Sequence, residues 1–249
     1  MSEIDRRLAG GLDAASVHEV KPEGSATGSA AGARAGASAG ASAGNWAAAL
    51  GFALRLAVRR LAALGARAEA APAQILWCWP SAFARELGLP CGQGLAAMGF
   101  DPSACLFVET RRASEALWAM EEGLKSASLA LVVGVLKEAE LTPARRLSLA
   151  AAGHLTPCLL ITDARSAPAG STATRWRIGA RSSGPHPFEA DAPGAPRYAV
   201  SLERCRHGSL MSQAQSLLLE WSDETHRFRV APALADRADG PRHARRGAG

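Results

Sequence analysis

The feature that most constrains the fold is a run of eight apolar residues, Leu129-Ala-Leu-Val-Val-Gly-Val-Leu136. A strand can tolerate no polar side chain on either face only if both faces are covered, which is the condition of a central strand in a parallel sheet. The surrounding sequence supplies the covers. Residues 114–125 place Ala116, Leu117, Met120 and Leu124 on one helical face. Residues 143–152 read as a second helix, with Thr142 as its cap and Pro143 in the first helical position. Shorter apolar runs at 16–20, 75–79, 106–109 and 158–162 read as further strands, the second closed by Pro80, and a short helical turn is expected at 94–98. Strands alternating with helices at this spacing imply βαβ crossovers and an α/β fold with a mainly parallel central sheet, helices on both faces.

The tract 24–44 is built almost wholly of Gly, Ala and Ser and reads as a low-complexity flexible loop. Asn45 can cap the helix after it, 46–64, where Leu50, Leu54, Val58 and Leu61 recur near helical spacing. Arg55, Arg59 and Arg60 fall inside that apolar stretch and exclude a membrane span. Beyond Ala164 the pattern changes to alternation of apolar and polar residues, at 174–181, 197–203, 216–221 and 227–230. These read as antiparallel strands extending one edge of the sheet, with a Pro/Gly-rich loop at 182–196. The organisation expected is one α/β domain over 1–231 and a disordered basic tail over 232–249.

The formal charge of +5 and a pI near 9.3 permit a nucleic-acid neighbourhood without demonstrating one. Five cysteines, Cys78, Cys91, Cys105, Cys158 and Cys205, include no C-x-x-C pair and fit buried thiols of a reducing compartment. The first residues lack the apolar core of a signal peptide, and the expected location is cytoplasmic.

A strand, a glycine-rich loop and a helix form the setting of a phosphate loop, in which backbone N–H groups surround phosphates and a lysine reaches the terminal ones. Between Val20 and Trp46 there is no Gly-Lys-Ser/Thr. Arg34 is no compact point charge, and Lys21 comes too early. The acid that would hold magnesium at the end of a central strand is replaced by Gly134, and the run Lys137-Glu-Ala-Glu140 reads as a solvated turn. Asp163 reads as a turn residue at a strand end and Glu109 as a surface ion pair with Arg111 and Arg112. His18 and Glu19, adjacent in a strand, point to opposite faces and form no joint site. The candidate partner or nucleic-acid contacts are Arg175, Trp176 and Arg177, where a tryptophan between arginines could stack a base, and Arg237, Arg242, Arg245 and Arg246 of the tail. The competing reading of Trp176 is an inward core residue between outward arginines. No catalytic, cofactor or metal residues are expected.

The order of elements resembles the RecA-like core, and more narrowly the ImuA family, relatives of RecA and of SulA-type proteins. The residues that carry the resemblance are Val17-His-Glu-Val20, Phe52-Ala-Leu54, Ile75-Leu-Trp77, Gly94-Leu-Ala-Ala-Met-Gly-Phe-Asp-Pro102, Ala116-Leu-Trp-Ala-Met-Glu-Glu-Gly-Leu124, Arg145-Arg-Leu-Ser-Leu-Ala150 and Ala173-Thr-Arg-Trp-Arg-Ile178, within residues 8–231. The resemblance implies a non-enzymatic accessory role in damage-induced, error-prone translesion DNA synthesis. The partners it implies are an ImuB-like protein, a DnaE-type error-prone polymerase and RecA. This sequence departs from the family pattern in its expanded small-residue loop and its short segment before His18. The alternative expectations are a RecA-like regulatory ATPase, a SulA-like inhibitor of cell division, and direct DNA binding through the tail.

Overall fold

The computed structural model describes residues 12–24, 35–65, 74–88, 90–189, 192–206 and 216–231, with 35–42 described by backbone alone. Nine strands form one sheet: β1 (Val17–Pro22), β2 (Gln74–Pro80), β3 (Cys105–Thr110), β4 (Leu129–Val135), β5 (Cys158–Ile161), β6 (Thr174–Arg181), β7 (Arg197–Cys205), β8 (Leu217–Ser222) and β9 (Arg227–Val230). Their order is β3-β2-β4-β5-β1-β6-β7-β8-β9. The pairings from β3 through β6 are parallel, and those from β6 through β9 are antiparallel. The alternating strand at 174–181 therefore joins the sheet parallel to β1, where an antiparallel partner is expected. Its alternation reflects the ionic cluster on one of its faces, described below, and not a wet outer surface.

Helix α1 (Ala35–Gly65) lies on one face of the sheet. Its Phe52, Ala53 and Ala57 pack with Val20, Trp77, Leu131, Val133, Trp176 and Ile178 in the larger of two apolar cores. Two short helices, α2 (Ser81–Leu87) and α3 (Gly92–Ala97), follow β2 and border this core. The opposite face is covered by α4 (Ala113–Lys125) and α5 (Leu141–His154), whose Met120, Leu124 and Leu147 meet Leu76, Val132 and Leu160. Gly99, in the turn after α3, comes against His226 in the turn between β8 and β9. Gly99 has φ +76, and a side chain there would be strained as well as crowded by the imidazole.

Helix α1 reaches back to Ala35, through half of the tract expected to be a loop, while 25–34 lie outside the described residues. Every second residue from Ala35 to Ala43 is alanine, the best helix former, and a helix nucleated by the amphipathic segment after it propagates readily into such a stretch. Asn45 consequently sits inside the helix and caps nothing. It is buried, its Nδ2 donating to the Glu23 carbonyl at 2.9 Å and its Oδ1 accepting from the Ala180 N–H at 3.0 Å, so that it ties α1 to the ends of β1 and β6. Helix α5 likewise begins at Leu141, two residues before Pro143. Proline is compatible with the whole first turn of a helix, where the N–H groups have no intrahelical acceptor. Among the described residues no helix is long and apolar enough to cross a membrane.

Candidate functional site

In an open parallel sheet the groups that act on a ligand collect at the carboxyl ends of the strands. Here the ends of β1, β2, β4 and β5 surround a cleft of about 850 Å³. The stacked rings of Trp46 and Phe83, 5.6 Å apart and inclined by 21°, line it, and Pro22 and Pro80 stand at the ends of their strands. A smaller apolar recess shares Trp46, Phe83 and Leu87 with the cleft and reaches in to Trp77, Trp79 and Val135. Trp79 is 4% exposed, and its indole N–H has no acceptor among the described residues. The cleft also carries Arg111, Lys137 and Arg165, each following a different strand. Their side chains form no ion pair among the described residues. Two carboxylates, Glu86 and Asp163, line it as well, and Asp163 Oδ1 accepts the Arg165 N–H at 2.8 Å in a tight turn.

The other side of that turn rests on a buried ionic cluster. Glu19 and Lys21, two residues apart on β1, emerge from the same face and are 0% and 1% exposed. Arg175 stands opposite Glu19 and Arg177 opposite Lys21 in the β1–β6 register. Glu19 accepts from Arg175 Nε at 2.7 Å, from the Thr162 hydroxyl at 2.9 Å and from the Ala169 N–H at 3.3 Å. The Lys21 ammonium donates to Ser166 Oγ at 2.7 Å, the Ser166 carbonyl at 3.0 Å and Thr162 Oγ1 at 3.2 Å, and lies 3.7 Å from Glu19. Burial pulls its pKa below the ordinary lysine value, against the opposing pull of Glu19. Arg177 reaches the carbonyls of Ala164 and Pro22 and pairs with Glu203, while Arg204 holds the Gly170 carbonyl. The connection from β5 to β6 is thus strapped down by cations at Ala164, Ser166, Ala169 and Gly170. Ser148 of α5 adds a bond to the Ser171 carbonyl.

These contacts relocate several residues singled out in the sequence. Trp176 is 5% exposed, tilted against Phe52 with its N–H on Thr174 Oγ1 at 2.8 Å, so it is a core residue and its ring face is closed to a base. Arg175 and Arg177, expected as outward contacts for a partner or nucleic acid, are instead consumed by Glu19 and Glu203. The tail arginines Arg237, Arg242, Arg245 and Arg246 lie outside the described residues. Glu109 makes no ion pair with Arg111 or Arg112 among the described residues. It is Glu115, in the first turn of α4, that reaches back to the N–H groups of both, as free helix N-terminal donors require. Asp163 and His18 behave as read: the first shapes a turn, and the second faces away from Glu19, bonded to Thr174 and to the Asp13 carbonyl. Gly134 points at α4, and any Cβ there would overlap the Met120 thioether, so the place of a strand-end acid is filled by a side chain from across the core. The Glu19–Lys21–Arg175–Arg177 cluster escaped sequence reasoning. Two i, i+2 charge pairs were visible, but their juxtaposition depends on β1 and β6 being neighbours, which no local pattern encodes.

No family model matches the chain. In overall shape it is similar to the crystal structure of the RadB recombinase, with a TM-score of 0.52 over 93% of this chain and 98% of that one at 12% identity. The fold is RecA-like. At the level of sequence it is 32% identical over 156 residues to the proteins named ImuA of two Caulobacter vibrioides strains, a match covering 57% of this chain. The match spans 62% of the length of those relatives, less than two thirds. Over that span the chain is similar to the ImuA proteins.

Proposed function

We propose that this protein is a non-catalytic adaptor in damage-induced, error-prone translesion DNA synthesis, a RecA-like domain kept for its surfaces and not for nucleotide turnover. The observation that carries the reading is the fate of Lys21. The lysine nearest the phosphate-loop position directs its amine away from the cleft, through three hydrogen bonds, into the strap between β5 and β6. Gly134, with Met120 filling the space beside it, supports the same conclusion for the magnesium-binding acid. The partners are an ImuB-like protein, a DnaE-type polymerase and RecA.

Co-purification of the full-length chain from DNA-damaged cells tests the reading: the translesion polymerase components are expected in the eluate. Recovery of the tubulin-like division protein alone would replace it with a division-inhibitor function. A nucleotide-binding role makes a different demand. Mg·ATP bound only to the folded state must raise the melting temperature, and the adaptor reading expects no shift.

A further inference from the structure

The cleft at the carboxyl edge retains features that a discarded nucleotide site does not account for. The Trp79 indole N–H is buried and without an acceptor among the described residues, and the Trp79 side chain borders the recess beside the cleft. Leaving a buried donor unpaired is unfavourable, so such a group calls for a reason. The recess measures about 20 Å³, room for one small acceptor group. The stacked Trp46 and Phe83 add an apolar wall that lines both the recess and the cleft. Arg111, Lys137 and Arg165 then follow β3, β4 and β5. In the order β3-β2-β4-β5 those strand ends span three interstrand steps, roughly 14 Å. That is wide for one compact cluster of phosphates but is covered by about four residues of extended peptide. Of the two carboxylates in the cleft, Asp163 already spends an oxygen on the Arg165 N–H, and Glu86 stands on α2 beside Phe83 and Leu87.

Resting on the adaptor reading, we propose that this cleft is the docking site for an extended acidic segment of a partner protein. An apolar side chain of the segment lies on Trp46 and Phe83, a carbonyl oxygen takes the Trp79 N–H, and carboxylates meet Arg111, Lys137 and Arg165. The rim charges steer the encounter and fix its register, and contact with the Trp46 and Phe83 edges supplies the apolar anchor.

The test uses the full-length chain and a fluorescein-labelled synthetic peptide alternating Asp or Glu with Leu, followed by anisotropy. A peptide with Lys in place of the acids and Mg·ATP serve as competitors. Saturable binding is expected, weakened by salt, not displaced by the Lys peptide or by Mg·ATP. The exposed pair Lys137→Glu and Arg165→Glu should weaken it about tenfold. Trp79→Phe, which keeps a ring in the recess and removes only the N–H, should weaken it several-fold. The surface pair decides the matter if Trp79→Phe lowers the melting temperature. Equal affinity for acidic and basic peptides, or affinity unchanged by the charge reversals, overturns the proposal. Displacement by Mg·ATP with a rise in melting temperature overturns it in favour of a nucleotide pocket. If the charge-reversed chain still co-purifies the same polymerase components from damaged cells, the cleft is not their docking site and the adaptor reading stands without it.

Discussion

Glu19 and Arg175 face each other across neighbouring parallel strands, Oε2 2.7 Å from Nε, with the carboxylate wholly out of solvent and the guanidinium nearly so. The same carboxylate lies 3.7 Å from the Lys21 ammonium, so one buried anion balances two cations. Pairs of this kind contribute little net stability when intact, because desolvation offsets their attraction, but breaking one leaves an uncompensated charge in the interior.

Glu19→Gln should therefore destabilise the fold by about 3–5 kcal/mol. Urea unfolding followed by tryptophan fluorescence reads the loss as a lower midpoint. Lys21→Met removes the second cation while leaving Glu19 its bond to Arg175, and should cost clearly less. If the two substitutions cost the same, Glu19 is not the centre of the cluster.

His18 sets an acid limit on stability. Its Nε2 can only donate to the Asp13 carbonyl, so the neutral ring leaves Nδ1 to accept from Thr174 Oγ1, which in turn accepts the Trp176 indole N–H. Burial pushes the pKa below the usual 6.5. With the folded value depressed, the unfolded chain binds the extra proton first, so stability is full above about pH 6.5 and falls as pH drops below it. The depressed carboxyls of Glu121 and Glu220, held by Lys125 and Arg146 and by Arg197 and Arg229, lose their contribution only below their ordinary 4.5. Among the described residues with a shifted ionisation, His18 alone changes charge between pH 6.5 and 4.5. Unfolding free energies of the wild type should decline across it, and those of His18→Gln should stay flatter.

How much of this was legible beforehand follows from the range of each interaction. The buried run of β4 and the amphipathic face of α4 are local patterns, and both stood where periodicity placed them. The start of α1 was misjudged because glycine and serine argue for a loop one residue at a time, whereas helix propagation is cooperative over the whole segment. The arginines beside Trp176 read as solvent-facing because the carboxylates that bind them, Glu19 and Glu203, lie on other strands. Their partners became visible only once β6 was seated between β1 and β7. The cleft has the same origin, assembled from single residues after β3, β4 and β5 that share no sequence motif.

The thiols should divide by burial and not by sequence. Burial lifts Cys78 to about 12 and raises Cys158 further, while Cys105 moves up to about 11. A thiol needs its thiolate to react. Cys91 is the exposed one of the five, with Cys105 and Cys205 half-buried. Labelling with a maleimide at neutral pH, read by peptide mass spectrometry, should modify Cys91 first and leave Cys78 and Cys158 protected until the chain unfolds. Early labelling of Cys158 would mean that β5 opens locally.

The contact between Gly134 and Met120 makes the last prediction. A Cβ on Gly134 would collide with the Met120 thioether, so Gly134→Ala forces α4 outward or the methionine into another rotamer. Overpacking of this sort costs typically about 1–3 kcal/mol. Met120 is fully buried, and Met120→Ala alone opens a cavity at about 2–5 kcal/mol. The double substitution removes the collision and part of the void together, so its cost should fall below the sum of the two, and a double-mutant cycle in urea measures the difference. Gly134→Asp in the Met120→Ala background carries the argument to function, since it places an acid at the end of β4 in the space that methionine gave up. If the lack of an acid at this position were the only obstacle to nucleotide binding, Mg·ATP would then raise the melting temperature of this variant. With Lys21 still bound to Ser166 and Thr162, no rise is expected.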